Sequence, residues 1–97
     1  MGRSKQNTLY IVAYDIPDDR RRTKVHKTLL GFGEWTQYSL FECYLTAKEL
    51  VVMVEKLNRL LDPSEDSLRI YPLCEACERK VKTIGSEKPA PKDVFIL

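Results

Sequence analysis

Apolar and polar positions alternate along the chain in patterns that predict four strands. Residues 8–15, TLYIVAYD, are apolar on both alternating faces and rich in β-branched and aromatic side chains, which predicts a central strand covered on both sides. Residues 35–45, WTQYSLFECYL, are long enough for one bent strand or for two strands that divide near Ser39. The remaining strands are predicted at 67–74, SLRIYPLC, and at 80–85, KVKTIG.

Two helices are predicted between these strands, because apolar residues recur there every three or four positions. The first follows Asp18, the expected N-cap, and ends at the GFG of residues 31–33. The second begins with a capping box formed by Thr46 and Glu49. The residues expected to bury one face of each helix are Val25, Leu29 and Phe32 in the first and Leu50, Val54, Leu57 and Leu61 in the second. If residues 35–45 supply two strands, the order indicates an α+β protein, a ferredoxin-like βαββαβ sandwich.

The end of the chain differs in composition from the rest. Residues 86–93, SEKPAPKD, read as a linker, and residues 94–97, VFIL, as a short apolar strand. Such a strand can pair with its own sheet or with the sheet edge of a partner protomer, and composition alone leaves both open. We therefore expect a ferredoxin-like domain at 1–85, of which 1–7 form a basic tail, followed by a linker and C-terminal strand at 86–97.

Composition narrows the class of protein. The chain has 97 residues, of which 43% are hydrophobic and 31% charged, as is typical of one small globular domain. The net charge of +2 is too small to indicate nucleic-acid binding by itself. Three cysteines make an odd number and argue against a disulfide framework. No apolar run approaches the roughly 20 residues of a membrane span, so we expect a cytoplasmic protein without membrane contact.

Asp15 is the first candidate for chemistry, because a carboxylate at the end of a buried strand needs a cation or several hydrogen-bond donors. One interpretation is a structural ion pair with Arg22. The other is a site for Mg²⁺ or another divalent cation, held by Asp15 together with water and phosphate oxygens. One carboxylate per chain is few for a nuclease, so two copies of Asp15 across a dimer axis would suit phosphodiester cleavage better.

Basic residues follow Asp15 closely. Arg20, Lys24 and Lys27 share one stripe of the predicted helix, and Arg21 lies beside them. This stripe could neutralise nucleic-acid phosphates in a salt-dependent manner. A solvated helix face gives the same pattern, so the residues alone do not decide between the two.

The cysteines and the histidine give a weaker signal. The CEAC of residues 74–77, with Cys43 and His26, would be the ligands available for zinc, but nothing in the spacing brings them together. Redox use of the CxxC is open, and buried or turn-forming cysteines are the favoured interpretation. His26 has no neighbouring Ser or Cys nucleophile, so no acyl-transfer site is predicted.

Aromatic residues are dense in the second strand region. They are Trp35, Tyr38, Phe41 and Tyr44. They raise the alternative of an RNA-binding module that stacks bases on its sheet. The recognition motif of that class is absent, and strand aromatics are more often core or dimer contacts.

Two segments of the sequence together resemble CRISPR-associated protein 2. They are YIVAYDIPDDRRRTKVHKTLLGFGEWTQYSLFEC and LRIYPLCEACERKVKTIG, and the likeness covers about residues 8 to 85 in order. The resemblance implies a ferredoxin-like fold in a symmetric homodimer whose C-terminal strands reach the partner's sheet. It also implies a role in spacer acquisition, in which this protein bridges double-stranded DNA beside the CRISPR integrase subunit.

The same resemblance implies a second activity, metal-dependent endonuclease cleavage of RNA or DNA. The family ties it to the aspartate that matches Asp15, with Tyr14, Arg22 and Phe41 in the same region. A second basic position is filled here by Lys24, which keeps the charge but loses the bidentate fork of an arginine. The sequence therefore predicts a DNA-bridging partner of the integrase and, as its alternative, a Mg²⁺-dependent nuclease that uses Asp15 from both protomers.

Overall fold

The computed structural model describes residues 7–85. The elements in chain order are β1 (Thr8–Asp15), α1 (Asp19–Leu30), β2 (Glu34–Gln37), β3 (Leu40–Leu45), α2 (Ala47–Leu60), β4 (Ser67–Leu73) and α3 (Glu75–Arg79). None of the helices in this part of the chain is long and apolar enough to cross a membrane. Residues 1–6 of the predicted basic tail, and the predicted linker and strand at 86–97, lie outside the described residues.

The four strands form one antiparallel sheet in the order β2-β3-β1-β4. In register, Val12 of β1 lies between Phe41 of β3 and Ile70 of β4. The strand order and the two helices that separate strands in sequence are those of a ferredoxin-like α+β fold, so this prediction is confirmed.

Within residues 7–85, helices α1 and α2 both cover the same face of the sheet, contrary to the prediction that β1 is covered on both sides. Val12 and Tyr14 point into a core that also holds Val25 and Leu29 of α1 and Met53 of α2. The alternate residues of β1 end at the exposed Asp15 on the opposite face. The alternate apolar residues of β1, Leu9, Ile11 and Ala13, face away from α1 and α2. Packing against these two helices therefore does not explain why they are apolar.

Residues 35–45 form two strands rather than one. The chain turns between Gln37 and Leu40, and Tyr38 takes a positive φ of 43° in that turn. The indole N–H of Trp35 donates a hydrogen bond of 2.6 Å to the carbonyl oxygen of Tyr38 and closes the hairpin. The division near Ser39 therefore supplies the strand that the βαββαβ order requires.

The predicted helix caps are confirmed. The carboxylate of Asp18 accepts a hydrogen bond of 2.8 Å from the backbone N–H of Arg21. Thr46 and Glu49 form the reciprocal capping box of α2. Such caps rest on residues within one turn of each other, which is why the sequence alone reveals them.

The strand predicted at 80–85 is wrong. Cys74 acts as the N-cap of the short helix α3, and the residues after Arg79 form no strand within the described chain. The sheet already has its fourth strand, since β4 pairs along β1 from Leu73 to Ser67. The β-branched residues at 80–85 favour a strand locally, but within the described residues they pair with no strand of the sheet.

Candidate nucleic-acid interface

Asp15 lies at the last position of β1 and is exposed. It is opposite Ser67 of β4, on the face of the sheet that the helices leave uncovered. Its carboxylate forms no salt bridge with the residues of the described chain. The structure thus leaves Asp15 available to a ligand from outside the protomer.

Arg22 does not pair with Asp15, so that structural interpretation is wrong. Its guanidinium donates hydrogen bonds to the carbonyl oxygens of Ile16, at 2.9 Å, and Pro17, at 3.4 Å. It also pairs with the carboxylate of Asp19, one turn earlier in α1. Arg22 therefore supports the connection between β1 and α1, directly beside Asp15.

Arg21 is held by acidic residues that precede β4. Its guanidinium donates to both carboxylate oxygens of Asp66, at 2.8 and 3.0 Å, and lies 3.4 Å from Glu65. The hydrogen bond with Asp66 raises the pKa of Arg21 and lowers the pKa of Asp66. The backbone N–H of Asp62 donates to the same carboxylate. Arg21 therefore joins α1 to a loop that lies over 40 residues later in the chain. Its guanidinium is occupied by this ion pair and is not free to bind a phosphate.

The other three cations of α1 are exposed. Arg20, Lys24 and Lys27 lie at i, i+4 and i+7 and form no salt bridge within residues 7–85. The buried residues Val25 and Leu29 define the opposite side of the helix. We call Arg20, Lys24 and Lys27 the basic stripe; it begins five residues after Asp15.

Tyr14 and Phe41 belong to the core. Phe41 is fully buried, and its ring centroid lies 6.4 Å from that of Tyr14 and 5.1 Å from that of His26. The Tyr14 hydroxyl lies 3.2 Å from Nδ1 of His26. Burial raises the pKa of Tyr14, although Arg22 opposes the shift, and burial lowers the pKa of His26. The arrangement suits a neutral imidazole whose Nδ1 accepts a hydrogen bond from the Tyr14 hydroxyl, so these residues fix the end of β1 from the core side.

The uncovered face of the sheet carries exposed aromatic residues. Tyr44 of β3 is 55% exposed and Tyr71 of β4 is 47% exposed, and both flank β1 on this face. Arg69 donates a hydrogen bond of 3.4 Å to the hydroxyl of Tyr71, and this bond raises the pKa of Arg69. We call this surface the open face. Tyr71 and Arg69 were not among the predicted site residues, although their alternation with Leu68 and Ile70 in SLRIYPL places them on one side of β4.

The cysteines do not gather into a metal site. Cys43 is buried in the core, whereas Cys74 and Cys77 are exposed at the start of α3. Within residues 7–85 no group of three or more His, Cys, Asp or Glu side chains could hold a metal ion. Asp15 offers one carboxylate, so the described residues of a single protomer do not by themselves fit a resident divalent cation.

Comparison with known proteins identifies the family. A match to the family described as CRISPR associated protein Cas2 covers residues 8–81. Over 65 residues the chain is 49% identical to a CRISPR-associated endoribonuclease Cas2 of Synechocystis sp., covering 67% of this chain and 71% of that protein. Over 70 residues it is 50% identical to a CRISPR-associated endonuclease Cas2 of Thermus thermophilus, covering 72% and 78%.

A solved structure agrees with these matches. The crystal structure of a hypothetical protein from Thermus thermophilus superposes with a TM-score of 0.77 at 43% identity, covering 86% of this chain and 96% of that one. The chain belongs to the Cas2 family of CRISPR-associated proteins. The resemblance seen in the sequence is therefore confirmed.

Proposed function

We propose that this chain is a homodimeric, DNA-bridging subunit of CRISPR spacer acquisition that works beside the CRISPR integrase subunit. The observation that carries the proposal is the division of its surface. The basic stripe of α1 forms no salt bridge with the described residues, while aromatic residues line the open face. Family membership supplies the CRISPR context.

The open face suits a second copy of the chain. Ile11, Ala13 and Leu73 lie between or beside the exposed Tyr44 and Tyr71, so the face presents apolar and aromatic surface together. Apolar patches on a soluble protein commonly mark an interface. A symmetric contact would cover this patch and bring two copies of Asp15 to the same assembly.

The basic stripe suits the phosphates of double-stranded DNA. Its three cations point away from the core, and DNA would displace no carboxylate of residues 7–85 from them. Phosphate contacts of this kind are independent of base sequence, as a subunit that bridges arbitrary spacers requires. Two stripes in a dimer would hold one duplex at two positions.

Cleavage of RNA or DNA is the second candidate function. Its support is the exposed, unpaired Asp15 and the names of the relatives, which are an endoribonuclease and an endonuclease. Mg²⁺ commonly uses one or two carboxylates and keeps several waters. Because one protomer supplies a single carboxylate, this function requires Asp15 from both protomers around the cation.

The dimer is tested by placing a charge on the open face. Tyr44→Glu should reduce the molar mass measured by light scattering from that of a dimer toward that of a single protomer. Val51→Glu is the matched control, because Val51 is 57% exposed but lies on α2. Removal of residues 94–97 should also weaken the dimer if the terminal strand joins the partner. A Tyr44→Glu protein that stays dimeric would reject the open face as the contact.

The DNA surface is tested by removing the basic stripe. A triple alanine variant of Arg20, Lys24 and Lys27 should weaken duplex binding. The slope of the logarithm of the binding constant against the logarithm of the salt concentration should become shallower by about 3, because three phosphate contacts are lost. The control triple, Lys48, Arg59 and Lys80 to alanine, removes the same net charge from other exposed positions. Equal effects from both triples would show that net charge, and not the stripe, attracts the DNA.

The two candidate functions are separated by Asp15→Asn. The variant should still support spacer integration with the integrase subunit, because bridging requires no chemistry at Asp15. The same protein is incubated with RNA and DNA in Mg²⁺, with Glu55→Gln as the control carboxylate. Cleavage that disappears only in Asp15→Asn would support the nuclease, and loss of integration would contradict a purely bridging role.

A further inference from the structure

The turn between β2 and β3 holds an aromatic residue in an unfavourable conformation. Tyr38 has a φ of 43°, in the left-handed region, and is the sole non-glycine residue with positive φ between residues 7 and 85. Its side chain is 86% exposed. Glycine or asparagine would occupy this position with less strain. The exposed ring gains little packing within the described residues to offset this strain, and it is accessible to a contact from outside the protomer.

Hydrogen bonds hold the backbone of this turn while the ring stays free. The indole of Trp35 donates to the carbonyl of Tyr38, and the hydroxyl of Thr36 donates to the carbonyl of Leu40 at 3.2 Å. A register irregularity lies between Trp35 and Gln37 in the same hairpin. The backbone of the turn is therefore held in place by hydrogen bonds, while the ring of Tyr38 extends into solvent.

The turn lies at the same end of the sheet as Asp15. The backbone N–H of Tyr14 donates a hydrogen bond of 3.2 Å to the carbonyl of Ser39. Tyr14 immediately precedes Asp15, so the tip of the hairpin is beside the end of β1. Tyr38 and Asp15 are therefore each one residue away from the two residues that this hydrogen bond joins.

The chemistry of the tip favours a nucleobase over an apolar protein surface. Gln37 and Tyr38 are both exposed, and Ser39 follows them. A planar ring flanked by an amide and a hydroxyl can stack on a base and hydrogen-bond to its edge. The exposed aromatic residues of the open face, Tyr44 and Tyr71, pair with or lie opposite the earlier part of β1, away from this tip.

We propose that Tyr38 stacks on an unpaired base of a nucleic acid strand that passes the Asp15 end of the sheet. This inference rests on the proposed nucleic-acid-binding function and adds to it a contact with bases rather than phosphates. The ligand class is a single strand, or the single-stranded overhang of a duplex. A base inside an intact duplex offers no free ring face to Tyr38.

The test compares overhang-bearing and blunt duplexes of equal length, by fluorescence anisotropy and by quenching of Trp35, the one tryptophan in the chain. Tyr38→Gly should weaken binding of the overhang duplex about tenfold, which corresponds to about 1.4 kcal/mol. It should leave blunt-duplex binding and the salt slope unchanged. Tyr38→Phe, which keeps the ring, should bind within about twofold of the wild type.

A stability measurement separates binding from folding. Tyr38→Gly removes the left-handed strain and should unfold at the same temperature as the wild type or above it, still as a dimer. A lower midpoint, or a change to monomer, would overturn the inference in favour of a structural or protein contact. A Tyr38→Gly variant that binds the overhang duplex as tightly as the wild type does would also overturn it, while leaving the basic stripe intact. A wild type that binds neither duplex would reject the proposed function itself.

Discussion

The two glycines of the GFG motif should respond differently to substitution by alanine. A Cβ added to Gly33 would lie 2.3 Å from the carbonyl oxygen of Glu42, 2.5 Å from Sγ of Cys43 and 2.8 Å from Cα of Cys43. Real Cβ atoms do not approach backbone atoms so closely, and β3 lies inside the sheet. The motif that sequence analysis interpreted as a helix stop therefore also permits the close passage of the chain past β3.

The structure sets the expected size of the effect. Relief of the clash requires movement of backbone in β3, and overpacking of this kind costs about 3 kcal/mol. For a domain of this length that corresponds to a fall of about 15 °C in the unfolding midpoint. Gly31→Ala is the matched control, since its nearest new contact is the carbonyl oxygen of Thr28 at 3.3 Å and its φ of −79° suits alanine. We expect Gly31→Ala to change stability by less than about 1 kcal/mol.

Urea unfolding, followed by the fluorescence of Trp35, measures both variants. The protomer concentration is kept constant, because the stability of a dimer depends on it. A shift in the midpoint without a change in slope identifies a true stability effect. If Gly33→Ala unfolds within about 0.5 kcal/mol of the wild type, the close approach of Gly33 to β3 is refuted.

Three further predictions concern the thiols, the core and the pH dependence. Cys74 should react with iodoacetamide first, because hydrogen bonds from Cys77 lower its pKa. Burial raises the pKa of Cys43 to about 11, so mass spectrometry should detect label on Cys43 only after unfolding. Leu29→Ala should destabilise the fold by about 3 kcal/mol in urea, and its exposed neighbour Leu30→Ala by less than about 0.5 kcal/mol; equal effects would contradict the packing of α1. Burial lowers the pKa of His26, so the unfolded state binds its proton more tightly, and stability should fall as the pH drops below 6.5. His26→Phe should flatten this dependence, and an unchanged profile would exclude His26 as its cause.

Local features of the fold were predictable from the sequence. The caps at Asp18 and at Thr46 depend on side chains and backbone within one turn, and both helices follow the spacing of their apolar residues. The ferredoxin-like order was also predictable, provided that residues 35–45 are divided into two strands. The family resemblance was also present in the sequence, because its motifs are contiguous.

The tertiary structure decided which partners the charged residues of α1 take. Adjacent residues in the sequence have different roles: Arg21 reaches Asp66, whereas Arg22 contacts the carbonyl of Ile16 and Arg20 stays exposed. A long side chain finds its partner through the packing of elements distant in sequence, and no spacing rule reports that geometry. For this reason the sequence could not exclude the Asp15–Arg22 pair, one of two interpretations of Asp15, which the structure shows to be wrong; the roles of Asp15 and the basic stripe stay predictions.

The sequence by itself determined the four strands of the sheet and the helices α1 and α2, since apolar periodicity and capping within each segment specify them, but it did not predict α3 and it added a strand at 80–85 that the sheet does not contain. Only the tertiary structure decided that both helices cover one face of the sheet, that Gly33 passes against β3, and that Tyr38 stands strained beside Asp15. These features depend on distances between segments far apart in the chain. They leave the open face, the basic stripe and the Asp15 end of the sheet exposed to partners, because the core is complete without them.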